Sequence, residues 1–221
     1  MNCLKTNIKR RACVSGRIGS AVVRLLTLVV MIVMIGCGGE NYTPKPKGYM
    51  RIDMPEQHYQ RVSALNDTTV NRMVELPFSF EANKAAELTL KKNAKRLTWV
   101  DIKYPEYGGY VFLTYIPLKD VKELAGEVDT SYRLLSKHFD YASGVDERQF
   151  VDVENHVYAT TYRLQGRNVA STYQFWATDS VKNFLRGSIY IDCVPNNDSL
   201  APVVEYLQKD IDRLIESLRW Q

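Results

Sequence analysis

The chain has 221 residues, with 29 Lys plus Arg against 25 Asp plus Glu and a formal net charge of +4. Aromatics are plentiful and Gly and Pro ordinary, which excludes a disordered tail, and the length suits one domain with a sizeable core. No acidic residue occurs before Glu40. Six basic ones do (Lys5, Lys9, Arg10, Arg11, Arg17 and Arg24), so residues 37–221 hold 23 basic against 25 acidic, a net of −2, and nucleic acid is not an expected partner.

The apolar run follows those basic residues. Leu25 to Ile35 is apolar except for Thr27, and Gly36 and Cys37 come next. A spanning helix needs about 20 apolar residues, so this run fits the central region of a secretory signal peptide better than a membrane anchor. Met34-Ile35-Gly36-Cys37 resembles the lipobox of bacterial lipoproteins, with a small residue before the cysteine that takes the lipid. The expected organisation is a signal peptide over 1–36, a lipidated tether over 37–47 carrying Pro44 and Pro46, and one domain over 48–221. Cys3 and Cys13 leave with the signal peptide and Cys37 takes lipid, so Cys193 has no partner within the chain for a disulfide. It falls in the alternation Leu185, Gly187, Ile189, Ile191, Cys193, which predicts burial on the apolar face of a strand.

Gly48 to Pro55 alternates weakly and reads as a short edge strand; Glu56 to Arg72 is polar and reads as a loop. Leu76 to Ala82 alternates Phe78 and Phe80 against Ser79 and Glu81, the period of a half-buried strand. A short strand follows near Leu88 to Leu90. Leu97–Tyr104 and Tyr110–Ile116, joined across Gly108-Gly109, form a hairpin. Asp120 and Glu123 make the pattern of a capping box, and Val121, Leu124, Ala125, Val128, Tyr132, Leu135 and Phe139 lie on one helical face, with Gly144 at or just past the end. Four strands follow: Gln149–Val153, Val157–Leu164, Ser171–Thr178 and Phe184–Val194, with short turns that favour antiparallel neighbours. A second helix runs from Ser199 to about Arg219, capped by Asn197 or Asp198, with Pro202 in its first turn and a stripe including Leu207, Ile211 and Leu214. The predicted class is α+β: a single domain with an antiparallel β-sheet and two amphipathic helices packed on it.

Across nearly all of residues 37–221 the sequence resembles the gliding-motility lipoprotein GldD family of Bacteroidota. The resemblance is carried by Lys45-Pro46-Lys47-Gly48-Tyr49, Leu76-Pro77-Phe78-Ser79-Phe80-Glu81, Trp99-Val100 to Tyr104-Pro105 and Leu113-Thr114-Tyr115. It is densest from Ala170-Ser171 through Gln174-Phe175, Thr178-Asp179-Ser180, Phe184, Arg186-Gly187-Ser188 and Pro195-Asn196 to Asp198-Ser199. The long basic segment before Leu25 departs from the family pattern. The resemblance implies an envelope lipoprotein needed for gliding and linked to type IX secretion. It implies no enzyme activity and hands over no catalytic residue.

The residues point the same way. His58, His138 and His156 are scattered, with no partner at metal-ligand spacing, so no metal and no cofactor are expected. There is no phosphate-binding glycine loop and no nucleophile elbow; Gly187, inside a strand, fits close backbone packing. Asn168, Gln174, Asp179 and Arg186 cluster in the stretch of densest resemblance. They read either as an interaction patch or as a buried polar network that fixes strand register. Tyr158, Tyr162, Tyr173 and Tyr190 recur at even spacing and read as core packing, with an exposed contact strip as the other possibility. Asp67-Thr68-Thr69, Asp179-Ser180-Val181 and Asp198-Ser199-Leu200 match a short O-glycosylation pattern, with Thr68 the most accessible candidate. The expected protein is held to the membrane by its lipid, faces the periplasm on the outer membrane and touches other gliding and secretion envelope proteins. It takes no small-molecule substrate. The alternative is a periplasmic lipid- or glycan-binding lipoprotein.

Overall fold

In the computed structural model the described residues are 52–92 and 97–221, and they fall in one contact unit. Among the described residues ten strands and two α-helices follow one another. They are β1 (Tyr59–Asp67), β2 (Arg72–Asn83), β3 (Glu87–Lys92), β4 (Thr98–Tyr104), β5 (Gly109–Pro117), α1 (Val121–Ser136), β6 (Gly144–Asp152), β7 (Val157–Gln165), β8 (Tyr173–Thr178), β9 (Asn183–Ile191), α2 (Asn197–Glu216) and β10 (Arg219–Trp220). The strands form one curled sheet in the order β10-β2-β1-β3-β4-β5-β9-β8-β7-β6. Every pairing is antiparallel except a single parallel bridge, Asp67↔Leu90, between β1 and β3. The α+β class and the largely antiparallel sheet follow the sequence reading.

The two ends of the sheet meet. Trp220, on β10, donates its indole N–H to the carbonyl of His156 in the β6–β7 turn at 3.0 Å, and Arg219 lies 4.0 Å from Asp152.

Alternation decides which face of each strand is buried. β4 alternates strictly: Thr98, Val100, Ile102 and Tyr104 are buried, and Trp99, Asp101 and Lys103 half-buried. β5 and β9 continue the buried face with Val111, Leu113, Leu185 and Ile189. α2 places Val203, Tyr206, Leu207, Ile211, Leu214 and Ile215 in the same cluster as Phe78, Phe80, Val100, Leu113 and Phe175. Two glycines let the parts approach. A Cβ on Gly109 would stand 2.8 Å from Cδ1 of Leu207, and one on Gly187 only 2.2 Å from Cε1 of Phe175. Gly187 thus permits the close packing that the sequence suggested.

The helices differ from the expectation that both are packed on the sheet. α2 buries eight residues, whereas α1 buries only Ser131 and Leu135. Leu135 belongs to a small separate cluster with Leu164 and Val169. α1 starts as its sequence demands: Oδ1 of Asp120 accepts from the N–H groups of Lys122 and Glu123 at 2.8 and 3.1 Å. Glu123 reaches back to the N–H of Lys119, one residue beyond the usual partner in a capping box.

Several boundaries need correction. Glu56–Arg72, read as a loop, contains β1; only Val62 and Asp67 of that strand are buried, and the register shifts between Val62 and Ala64, so no apolar period marks it. Residues 52–55 of the expected first strand carry no strand, and the rest of it lies outside the described residues. α1 ends at Ser136, a 3-10 turn covers Phe139–Tyr141, and Gly144 opens β6 five positions before the expected start at Gln149. α2 is led by Asn196, whose side chain makes no capping bond to a helix N–H, rather than by Asn197 or Asp198. Pro202 therefore sits inside the helix and not in its first turn. At the other end Arg219 has left the helix for β10, because Trp220 and Arg219 pair with Phe78 and Ser79. Cys193 is exposed, not buried: β9 stops at Ile191 and the alternation ends with it.

Candidate functional site

Cys37 and the tether lie outside the described residues. Of the four polar residues singled out in the sequence, two come together. Gln174 on β8 pairs with Ser188, and Arg186 on β9 pairs with Trp176, so their side chains are diagonal neighbours on one face. That is the face α1 crosses. Burial holds the Arg186 guanidinium below its usual pKa, with Glu127 of α1 and Tyr190 pulling the other way. Gln174 is 9% exposed and its Nε2 is buried without a protein partner, as is Oγ of Ser171.

Asp179 and Asn168 stand at opposite ends of β8, which spans roughly 20 Å by strand rise. Asp179 builds the β8–β9 turn. Its Oδ1 accepts from the N–H groups of Val181, Lys182 and Asn183, and Oδ2 from the Asn183 amide. Burial opposes the charge, but these bonds outweigh it and hold the carboxyl below its ordinary value. Asn168 is exposed in the turn before Val169. Thr68 is exposed too, and its hydroxyl donates to the Leu90 carbonyl at 3.1 Å. Of the four tyrosines, only Tyr173 is fully buried, bonded to Asp212. The Tyr190 ring lies tilted beside Phe112, itself 38% exposed and stacked on Tyr110.

The sequence did not single out Asp210. It is 6% exposed, on the sheet side of α2, and accepts from Tyr104 Oη at 2.7 Å, Tyr59 Oη at 2.9 Å, Gln57 Nε2 at 2.9 Å and Asn83 Nδ2 at 3.1 Å. Burial raises its pKa, although all four bonds favour the charged form. The signal was available: position 210 falls three residues after Leu207, inside the apolar stripe, where a carboxylate must find donors. Gln57 also donates to the Tyr206 carbonyl, so the segment entering the domain is held against α2. The space beside Asp210, between α2 and the sheet, is about 10 Å³. That is about the minimum for one water.

Among the larger surface hollows, two bear on function. One, about 390 Å³, lies at the head of α2 between Arg163, Arg167, Thr172, Asp198 and Glu205. Within it Arg167 lies 3.5 Å from Asp198 and donates to the Asn196 side chain. The other is apolar, open and about 600 Å³, lined by Val121, Leu124, Val128, Asp129 and Tyr132 of α1 and by Tyr162 of β7. Val121 and Tyr132 are 61% and 52% exposed. The stripe assigned to the core from sequence is therefore in large part a surface.

Among the described residues no three His, Cys, Asp or Glu side chains are grouped to hold a metal ion, and no helix is long and apolar enough to cross a membrane. The chain matches the family described as "Gliding motility lipoprotein GldD" over residues 39–220. That stretch covers both hollows, the Asp210 cluster and every strand. The chain belongs to the gliding motility lipoprotein GldD family, a cell-envelope class not known as enzymes. No curated protein and no solved structure matches it.

Proposed function

We propose that this protein is an accessory component of the gliding motility and type IX secretion apparatus that acts by binding other envelope proteins and turns over nothing. Cys37 carries the lipid, residues 37–47 form the tether, and the domain faces the periplasm from the outer membrane. The observation that carries the reading is the open apolar groove of α1. A helix that buries only Ser131 and Leu135 while leaving Val121 and Tyr132 in water is suited to covering by another protein. Anchoring raises the effective concentration of the domain towards partners on the same membrane, so a modest contact suffices.

The four polar residues take three roles in this reading. Asn168 is available for contact, whereas Gln174 and Arg186 support α1 from below and Asp179 holds a turn. The alternative, a lipid- or glycan-binding lipoprotein, asks for a deep pocket between sheet and helix. The space enclosed beside Asp210 is too small for either ligand, and the 390 Å³ hollow at the head of α2 is open at the surface rather than deep.

The test is a paired substitution on the open face, Val128→Asp with Tyr132→Ser. Gliding and type IX secretion should fail while the protein keeps near-parental abundance. Normal gliding at normal abundance would refute the groove as the working surface.

A further inference from the structure

β6 is the last strand of the sheet. Its nine residues pair with β7, and among the described residues no strand pairs with its other side. Such an edge offers a row of backbone N–H and C=O groups to any extended chain. Neither proline nor bulge blunts it, since the register runs unbroken from Gly144↔Gln165 to Asp152↔Val157. The contacts of Trp220 with His156 and of Arg219 with Asp152 occupy only the Asp152 end.

The edge continues the groove of α1. Glu147 pairs with Tyr162, so its side chain shares the face on which Tyr162 lines that groove, and its charge acts on the Tyr162 hydroxyl. Val145, Gln149 and Val151 alternate onto the same face, with Val145 and Val151 40% and 60% exposed. Asp129 is the charged residue lining the groove, so groove and edge together present acid beside aliphatic surface.

We propose that β6 takes up an extended segment of a different polypeptide as an added strand. The segment carries lysine or arginine opposite Glu147, flanked by aliphatic or β-branched residues towards Val145 and α1. A second copy of this chain fits worse. Symmetric antiparallel pairing puts the residue on the two-fold axis opposite itself, and centring on Asp146, Glu147 or Arg148 sets like charges face to face. This inference rests on the reading that the protein works by protein contact, and it gives that contact a chemistry.

Amide hydrogen exchange on the full lipidated chain in detergent tests it, with two short probes that alternate valine with threonine, one carrying a single lysine and the other a single glutamate at the central valine position. At ten times its dissociation constant the lysine peptide should slow exchange over Gly144–Gln149 about tenfold. The glutamate peptide should leave it unchanged, and Glu147→Lys should reverse the preference. Equal protection by both peptides, protection by neither, or protection that grows with protein concentration alone would each overturn the proposal. The measurement does not depend on motility, so it fails independently of the gliding assay on α1.

Discussion

The Tyr104 hydroxyl donates to Oδ2 of Asp210 at 2.7 Å across 106 positions of sequence. The same carboxylate receives Tyr59, Asn83 and Gln57, so β4, β1, β2 and the segment before β1 are tied to one side chain of α2. Replacing it strands several donors at once, and each buried unpaired donor costs about 1–3 kcal/mol. Asp210→Ala should therefore lower unfolding stability by at least that much in urea titration of the domain. A loss within experimental scatter would mean the network is not holding the elements together.

Asp210 and Asp179 should respond to pH in opposite senses. Burial raises Asp210 above the ordinary value near 3.8, so the folded state binds the proton more tightly than the unfolded state. Its contribution is fully present below the ordinary value and is lost as pH rises through the folded pKa. Asp179 is lowered, so its contribution is present above the ordinary value and is lost as pH falls through the folded one. Relative to Asp210→Asn, the parent should lose stability from about pH 4 upward; relative to Asp179→Asn, it should lose stability as pH falls below about 4. Thermal melts of the three proteins across that range check both signs, and parallel curves would contradict them.

The two helices should tolerate truncation very differently. Leu207 and Ile211 are 0% and 1% exposed, and cutting either to alanine should cost about 2–5 kcal/mol, enough to reduce abundance in cells. Val121→Ser on α1, at 61% exposure, should stay within about 0.5 kcal/mol. Denaturation midpoints compare them directly; similar losses at both sites would mean that the face of α1 is not open in solution.

Anchoring has its own check. Cys37→Ser should abolish incorporation of a fatty-acid probe, because one residue is expected to carry the lipid. Equal labelling of parent and variant would move the anchor elsewhere.

The sequence was most legible where burial follows a regular period. β4, β5 and their hairpin were readable because Val100, Ile102, Val111 and Leu113 alternate cleanly, and α2 because its stripe is continuous. β1 was invisible for the opposite reason. Backbone pairing with β2 and β3 makes it a strand, while only Val62 and Asp67 among its side chains are buried. Trp220 was lost to the helix because two residues give no period; their pairing partners lie far back in β2. Of the polar group read from the sequence, only part comes together. Gln174 and Arg186 did prove to be neighbours, but which stripe met the core and which met solvent depends on tertiary packing. Periodicity alone made α1 and α2 look alike.

Because α2 fills the inner side of the sheet, the order in which a ribosome makes this chain has a bearing on when it can settle. The strands from β1 to β9 emerge first, and their apolar face has no helix to rest on until Asn197–Glu216 exists. The contacts that complete the core join residues far apart in sequence, which also slows folding. The same dependence means that a stop codon anywhere before α2 would leave the strands with nothing to close upon.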